Sequence, residues 1–144
     1  MGLLDNYTGI GMCPRPKWAH QIFMRRLIIN TATELPESKF EVLTEATLTD
    51  DWDDKAPDFV VFDKAEMYPL MMVEITTHRE LLKIKRKCDN LAVRFPEIEC
   101  WAFDYEEEKL YYFDIPNRHW ELVDDNFRSN FLQLPMIEYF YEHN

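Results

Sequence analysis

Two short runs rich in β-branched and aromatic residues, Asp58 to Phe62 and Leu70 to Thr76, are separated only by the stretch around Asp63 to Tyr68. A parallel return needs a crossover of roughly a dozen residues or more, so a link this short predicts an antiparallel hairpin. A helix is expected over 78–94, because Leu81, Ile84, Cys88, Leu91 and Phe95 recur every three or four positions and Pro96 stops the pattern. Thr77 and Glu80 have the spacing of a capping box at its start. The next apolar run, Glu99 to Phe103, follows a segment of crossover length and is expected to lie parallel to 70–76. Lys109 to Phe113 comes next, after the acidic turn that begins at Asp104, and Trp120 to Val123 reads as a short edge strand.

The flanks add cover to this sheet. Pro16 suits the first turn of a helix, where a missing N–H costs little, and the helix is expected over about 17–33 with Trp18, Ile22, Leu27 and Ile29 as buried candidates. Leu35-Pro36 closes it. Residues 39–48 alternate partially, Phe40, Val42 and Thr44 against Leu43 and Glu45, and read as a further strand. Asp50, Asp51, Asp53 and Asp54 lie in a charged connection, and Pro135 to Tyr141 forms a terminal helix or aromatic tail. The pattern is a single α/β domain over 1–144, with residues 1–16 as an irregular arm punctuated by glycine and proline.

Ten Phe, seven Tyr and four Trp within a 47% hydrophobic chain exclude general disorder. A formal net charge of -11 argues against coating nucleic acid or an anionic membrane surface as a whole. Net charge is separate from local charge, however, and residues 79–94 hold six Lys or Arg against two acids. Cys13, Cys88 and Cys100 are odd in number and lack zinc-knuckle spacing, and no apolar run approaches the ~18 residues of a membrane span. A reduced, cytoplasmic setting is therefore expected, with Cys88 and Cys100 as small interior groups.

Each run of the hairpin carries a carboxylate that its apolar neighbours do not explain: Asp58 at the head of the first and Glu74 inside the second. Period-two geometry puts Asp58, Val60 and Phe62 on one face, and Met72, Glu74 and Thr76 on one face of the partner. A register that aligns Asp58 with Glu74 makes the two acids converge. Such oxygen ligands suit Mg²⁺ or Mn²⁺, with the Ile75 carbonyl as a third donor. A buried acid needs a partner, so Glu74 implies a metal or active site, or else a salt bridge to the following helix or an interface charge. Lys83 and Lys87, four apart, share one face of that helix and can serve a phosphate or an attacking water, or can simply be solvated. Of His20, Gln21, Arg25 and Arg26 on the first helix, one can face such a site, with His20 or Gln21 as a metal or water contact, or each can serve surface or packing; Glu45 can likewise approach the cluster or be solvated.

Pro57-Asp58-Phe59-Val60-Val61, Val73-Glu74-Ile75-Thr76, the lysine-bearing helix, Phe95-Pro96-Glu97-Ile98-Glu99-Cys100-Trp101-Ala102-Phe103-Asp104 and Asn130-Phe131-Leu132-Gln133-Leu134-Pro135 resemble, in order, the Uma2-like branch of the PD-(D/E)XK nuclease superfamily. The resemblance covers roughly residues 39–137. It implies a restriction-endonuclease-like fold, a mixed central sheet flanked by helices, with Asp58 and Glu74 as metal ligands, DNA as substrate and a homodimer as the assembly. Thr76 stands where the superfamily usually has a lysine, and no clear glutamate stands on the first helix. In the Uma2-like branch the lysine role passes to the following helix, where Lys87 matches by its distance from Pro96 and Lys83 sits one turn earlier. The expected activity is hydrolysis of a DNA phosphodiester by a metal-activated water. The alternatives are a catalytically silent dimerising or partner-binding module and a nucleic-acid binder without catalysis.

Overall fold

The structure is a computed structural model and describes residues 16–46, 48 and 56–143. The hairpin expected at the centre of the sequence sits at the centre of the fold. Strand β1 (Phe40–Thr44), β2 (Phe59–Asp63), β3 (Tyr68–Thr76), β4 (Glu99–Asp104), β5 (Lys109–Asp114) and β6 (His119–Leu122) form one six-stranded sheet in sequence order. Every neighbouring pair is antiparallel except β3 and β4, which are parallel. The exception has a local cause: helix α2 (Leu81–Arg94) carries the chain back to the starting end of the sheet.

Both faces of this sheet are covered, which is why β2 and β4 read as unbroken apolar runs. Helix α1 (Pro16–Glu34) and a terminal 3₁₀ segment (Met136–Phe140) pack on one face. There Phe23 and Leu27 meet Phe59, Val61, Val73, Ile75, Trp101 and Phe103, with Phe140 stacked on Phe103 at a centroid distance of 4.2 Å. Helix α2 covers the other face, where Ile84, Cys88 and Leu91 meet Val60, Phe62, Met72, Cys100 and Phe113. The architecture is a single α/β domain with a mixed, largely antiparallel sheet between helical layers.

Three local expectations are corrected. Of the four residues expected to face inward from α1, only Leu27 does; Trp18 and Ile22 are 44% and 41% exposed and Ile29 55%. Apolar residues ring this helix, so composition could not select a face. The buried line is Phe23, Leu27 and Thr31, with the Thr31 hydroxyl donating to the Leu27 carbonyl at 2.7 Å. The capping box at Thr77 and Glu80 does not form. The Glu80 N–H instead closes a backbone turn onto the Thr77 carbonyl at 3.0 Å, giving a 3₁₀ turn (His78–Glu80) before α2 begins. The strand expected over 39–48 ends at Thr44, because Glu45 turns to φ 52 while its N–H bonds the Asp58 carbonyl at 3.2 Å. The acidic run 50–54, Cys13 and the expected arm before Pro16 lie outside the described residues.

The hairpin turns share one device. Met67, Glu108 and Arg118, each immediately before the return strand, adopt φ of 51, 55 and 56. The chain's three glycines are Gly2, Gly9 and Gly11, so side-chain-bearing residues accept the left-handed conformation in all three turns.

Candidate functional site

The β2–β3 register pairs Phe59 with Val73 and Val60 with Met72, so its continuation sets Asp58 opposite Glu74. The Asp58 N–H donates to Glu74 Oε1 at 3.2 Å. Asp58 Oδ2 accepts the Ile75 N–H at 2.8 Å and stands 3.1 Å from His20 Nε2. The N–H and C=O of one strand residue point to the same edge, so the Ile75 carbonyl opens toward β2 as well. Its side chain is buried on the α1 face.

Helix α2 supplies a cation to the other acid. Lys87 Nζ donates to Glu74 Oε1 at 3.3 Å, and both side chains are largely buried. Ile84, Cys88 and Leu91 fix the rotation of α2 and leave Lys87 at the margin of the buried stripe, where its stem follows the apolar surface toward the acid. Lys83 precedes it by four residues and lies about 40° further round the helix. It points into solvent, 3.9 Å from Glu80, and does not join the cluster. Gln21 and Arg25 are exposed, and Arg26 faces Glu142 at 3.9 Å. Glu45 is exposed beside the cluster, near enough for its charge to act on His20.

The electrostatics follow from burial. Glu74 is only 8% exposed, and desolvation, reinforced by the Asp58 charge, pushes its carboxyl from 4.5 up to about 7 against the opposing pull of Lys87. The hydrogen bond to Asp58 raises the His20 imidazole above its ordinary value, with burial opposing and the charges of Asp58, Glu74 and Glu45 assisting. Two acids thus stand side by side, each in contact with its own base. His20 arrives from the α1 layer and Lys87 from the α2 layer, so the cluster is contacted from both layers at one end of the sheet. Of His20 and Gln21, the two helix residues expected as metal or water contacts, His20 meets the cluster and Gln21 is exposed, a choice set by the rotation of α1.

Asp58 Oδ1 and Glu74 Oε2 have no hydrogen-bond donor among the described residues. Together with the Ile75 carbonyl they are oxygen donors of the type that hard divalent cations take. His20 and Glu74 approach Asp58 differently, one at Oδ2 and the other at the backbone N–H. Among the described residues, the group of three whose ligand atoms all lie within 4.8 Å of one another is elsewhere: Asp114, His119 and Glu121 on the β5–β6 hairpin. That group was not foreseen, although Asp114 and His119 are cross-strand partners and Glu121 shares the face of His119. It can chelate a metal ion, but Asp114 is already held by Asn117 and His119 and Glu121 are exposed.

A candidate nuclease belonging to DUF820 from Anabaena variabilis superposes with a TM-score of 0.60 at 16% sequence identity, over 85% of this chain and 80% of that one. The fold is restriction-endonuclease-like. The type IIG restriction endonuclease BpuSI also matches, with a TM-score of 0.44 and 18% identity over 83% of this chain and 15% of its own. No protein-family model matches the chain, and no curated protein matches it. Among the described residues no helix is long and apolar enough to cross a membrane.

Proposed function

We propose that this chain is a Uma2-like member of the PD-(D/E)XK nucleases that hydrolyses DNA phosphodiesters with Mg²⁺ or Mn²⁺. The observation that carries the reading is that Asp58, Glu74 and Lys87, from neighbouring strands and a helix, meet at Glu74 Oε1, which accepts from the Asp58 backbone N–H at 3.2 Å and from Lys87 Nζ at 3.3 Å. Asp58, Glu74 and the Ile75 carbonyl hold the metal. A divalent cation held there would supply a bound water of lowered pKa and positive charge for a phosphate oxygen. Lys87 supplies a fixed positive charge beside Glu74 for the phosphate as negative charge grows on it, and takes the part that Thr76 cannot. Lys83, exposed one turn away, contributes to the approach of the strand. The reading takes the chain as one nuclease-like domain, cytoplasmic and homodimeric.

Nicking of plasmid DNA with Mg²⁺ or Mn²⁺ tests it, with Asp58→Ala, Glu74→Ala and Lys87→Ala each expected to abolish the activity. Equal activity in the three variants after thorough purification rejects the assignment. One observation favours a catalytically silent module: each of the two acids has a basic side chain of this chain as its partner, His20 for Asp58 and Lys87 for Glu74. Calorimetric titration with Mn²⁺ separates the readings, since saturable binding lost in Glu74→Ala counts against a silent site.

A further inference from the structure

A separate group of metal-ligating side chains stands on the β5–β6 hairpin. Asp114 and His119 are directly opposed across the two strands, and Glu121, two residues beyond His119, lies on the same face. One ligand atom from each lies within 4.8 Å of the other two. His119 Nδ1 stands 3.3 Å from the Asn117 carbonyl, which can only accept, so Nδ1 carries the proton and Nε2 of the neutral ring carries a lone pair. That lone pair faces Glu121 Oε1 at 3.3 Å. Two acceptors at this distance repel unless a cation stands between them. A proton on Nε2 serves that one contact, whereas the Asp114 carboxylate makes a third acceptor in the same space. Lysine and arginine do not relieve the group. Among the described residues neither Asp114 nor Glu121 pairs with either, and Arg118, in the same turn, is engaged by Asp89 at 3.1 Å. Asn117 orients two of the ligands at once: its carbonyl accepts from His119, and its Nδ2 donates to Asp114 Oδ2 at 2.7 Å. Supporting bonds of this kind fix a ring nitrogen and a carboxylate before an ion arrives.

We propose that Asp114, His119 and Glu121 bind one Zn²⁺, with water in the fourth position, and that the ion fastens the edge strand β6 to β5. Ligands about a tetrahedral Zn²⁺, with bonds of about 2.0–2.2 Å, stand about 3.4 Å apart. The 3.3 Å between His119 Nε2 and Glu121 Oε1 is already of that length. One imidazole with two carboxylates suits Zn²⁺, whereas Mg²⁺ gains little from nitrogen and Ca²⁺ takes about six to eight oxygens. His119 and Glu121 are exposed, so an ion reaches the site directly from solvent. Two ligands come from β6 and one from β5, and β6 ends the sheet. An ion held only by the paired hairpin stabilises that pairing by the free energy of its binding. Trp120, between the two β6 ligands, donates Nε1 to the Leu81 carbonyl at 2.9 Å, so the fastened strand also holds the first residue of α2. None of these contacts involves Asp58 or Glu74.

The test uses the full chain with Glu74→Gln as background, so that the other cluster lacks one of its acids. Zn²⁺ is titrated calorimetrically, Co²⁺ is added as a visible probe of coordination, and amide hydrogen exchange is followed in β6. In this background Zn²⁺ binds, excess Mg²⁺ does not displace it, Co²⁺ gives the absorption of a four-coordinate ion, and Zn²⁺ slows exchange in β6. Asn117→Ala lowers the Zn²⁺ affinity on the order of tenfold, and His119→Ala on the order of a hundredfold. His119→Cys restores binding and adds thiolate charge-transfer absorption to the Co²⁺ spectrum, a gain that unfolding cannot imitate. An affinity unchanged in His119→Ala, a six-coordinate Co²⁺ spectrum, or β6 exchange indifferent to Zn²⁺ overturns the proposal. So does the absence of Zn²⁺ binding in the Glu74→Gln background, and each of these results leaves the nuclease reading standing.

Discussion

Replacing Glu74 by Gln isolates the cost of holding a charge in the cluster. The carboxyl moves from an ordinary 4.5 to about 7 because burial and Asp58 outweigh Lys87. At about 1.4 kcal/mol per pH unit of displacement, ionised Glu74 destabilises the fold by about 3 kcal/mol, an order-of-magnitude figure. Between pH 4.5 and 7 the native state keeps a proton that the unfolded chain has released, so stability falls as pH rises through that window and levels off above it. Glu74→Gln lacks the titration. Its stability relative to the parent, followed by urea denaturation with tryptophan fluorescence, is expected to rise by about 3 kcal/mol from pH 4.5 to pH 8, other groups cancelling in the difference. With the hairpin group removed by His119→Ala in both proteins, saturating Mn²⁺ at pH 8 should stabilise the parent, by about 2.7 kcal/mol at a hundred times its Kd, and leave the Gln variant unmoved. A difference constant within about 0.5 kcal/mol across the pH range would refute the reasoning, because a solvated Glu74 would titrate alike in both states.

Four further outcomes follow from the packing. Buried Glu99 accepts from Ser129 Oγ at 2.6 Å, the Asn130 N–H at 2.8 Å and Trp101 Nε1 at 3.1 Å, so Glu99→Ala should cost about 3 kcal/mol or more in a denaturant titration. Leu27→Ala should cost about 2–5 kcal/mol, while Ile29→Ala on the exposed side of α1 should stay within about 0.5 kcal/mol. Met67→Gly relieves a left-handed residue with an exposed side chain and should stabilise the protein by about 1 kcal/mol, read as a rise in Tm. His119→Ala should remove metal binding at the β5–β6 hairpin and leave the Glu74-dependent Mn²⁺ isotherm in place, which calorimetry resolves.

The sheet was legible because period and length speak plainly there. The runs at 58–62, 70–76, 99–103 and 109–113 became β2 to β5 with ends displaced by a few residues at most, and the crossover length gave the parallel pair. The amphipathic stripe of α2 was equally plain, and Leu81, Ile84, Cys88 and Leu91 are all buried. Helix α1 was not legible in orientation, since Trp18, Ile22 and Ile29 are as apolar as the residues that turned inward. The meeting of Asp58 with Glu74 depended on register, which the short hairpin constrained. The separation of Lys87 from Lys83 depended on where the α2 stripe ends, and the arrival of His20 on a contact 38 positions away in sequence, which no local pattern carries. The missing capping box has a similar origin: the right residues stand at Thr77 and Glu80, but the backbone enters α2 through a tighter turn.

Helix α1 is also clamped from its far end. Asn30 donates to the carbonyls of Tyr139 and Tyr141 at 2.9 and 2.8 Å, and Glu34 accepts from the Tyr139 hydroxyl and from the Gln133 N–H. The last stretch of chain therefore acts as a remote brace for His20, some 15 Å along the same axis. Cutting the protein after Leu134 would spare every residue of the cluster and yet let the imidazole drift from its acid, so sequence changes near the carboxyl terminus can retune a centre they never touch.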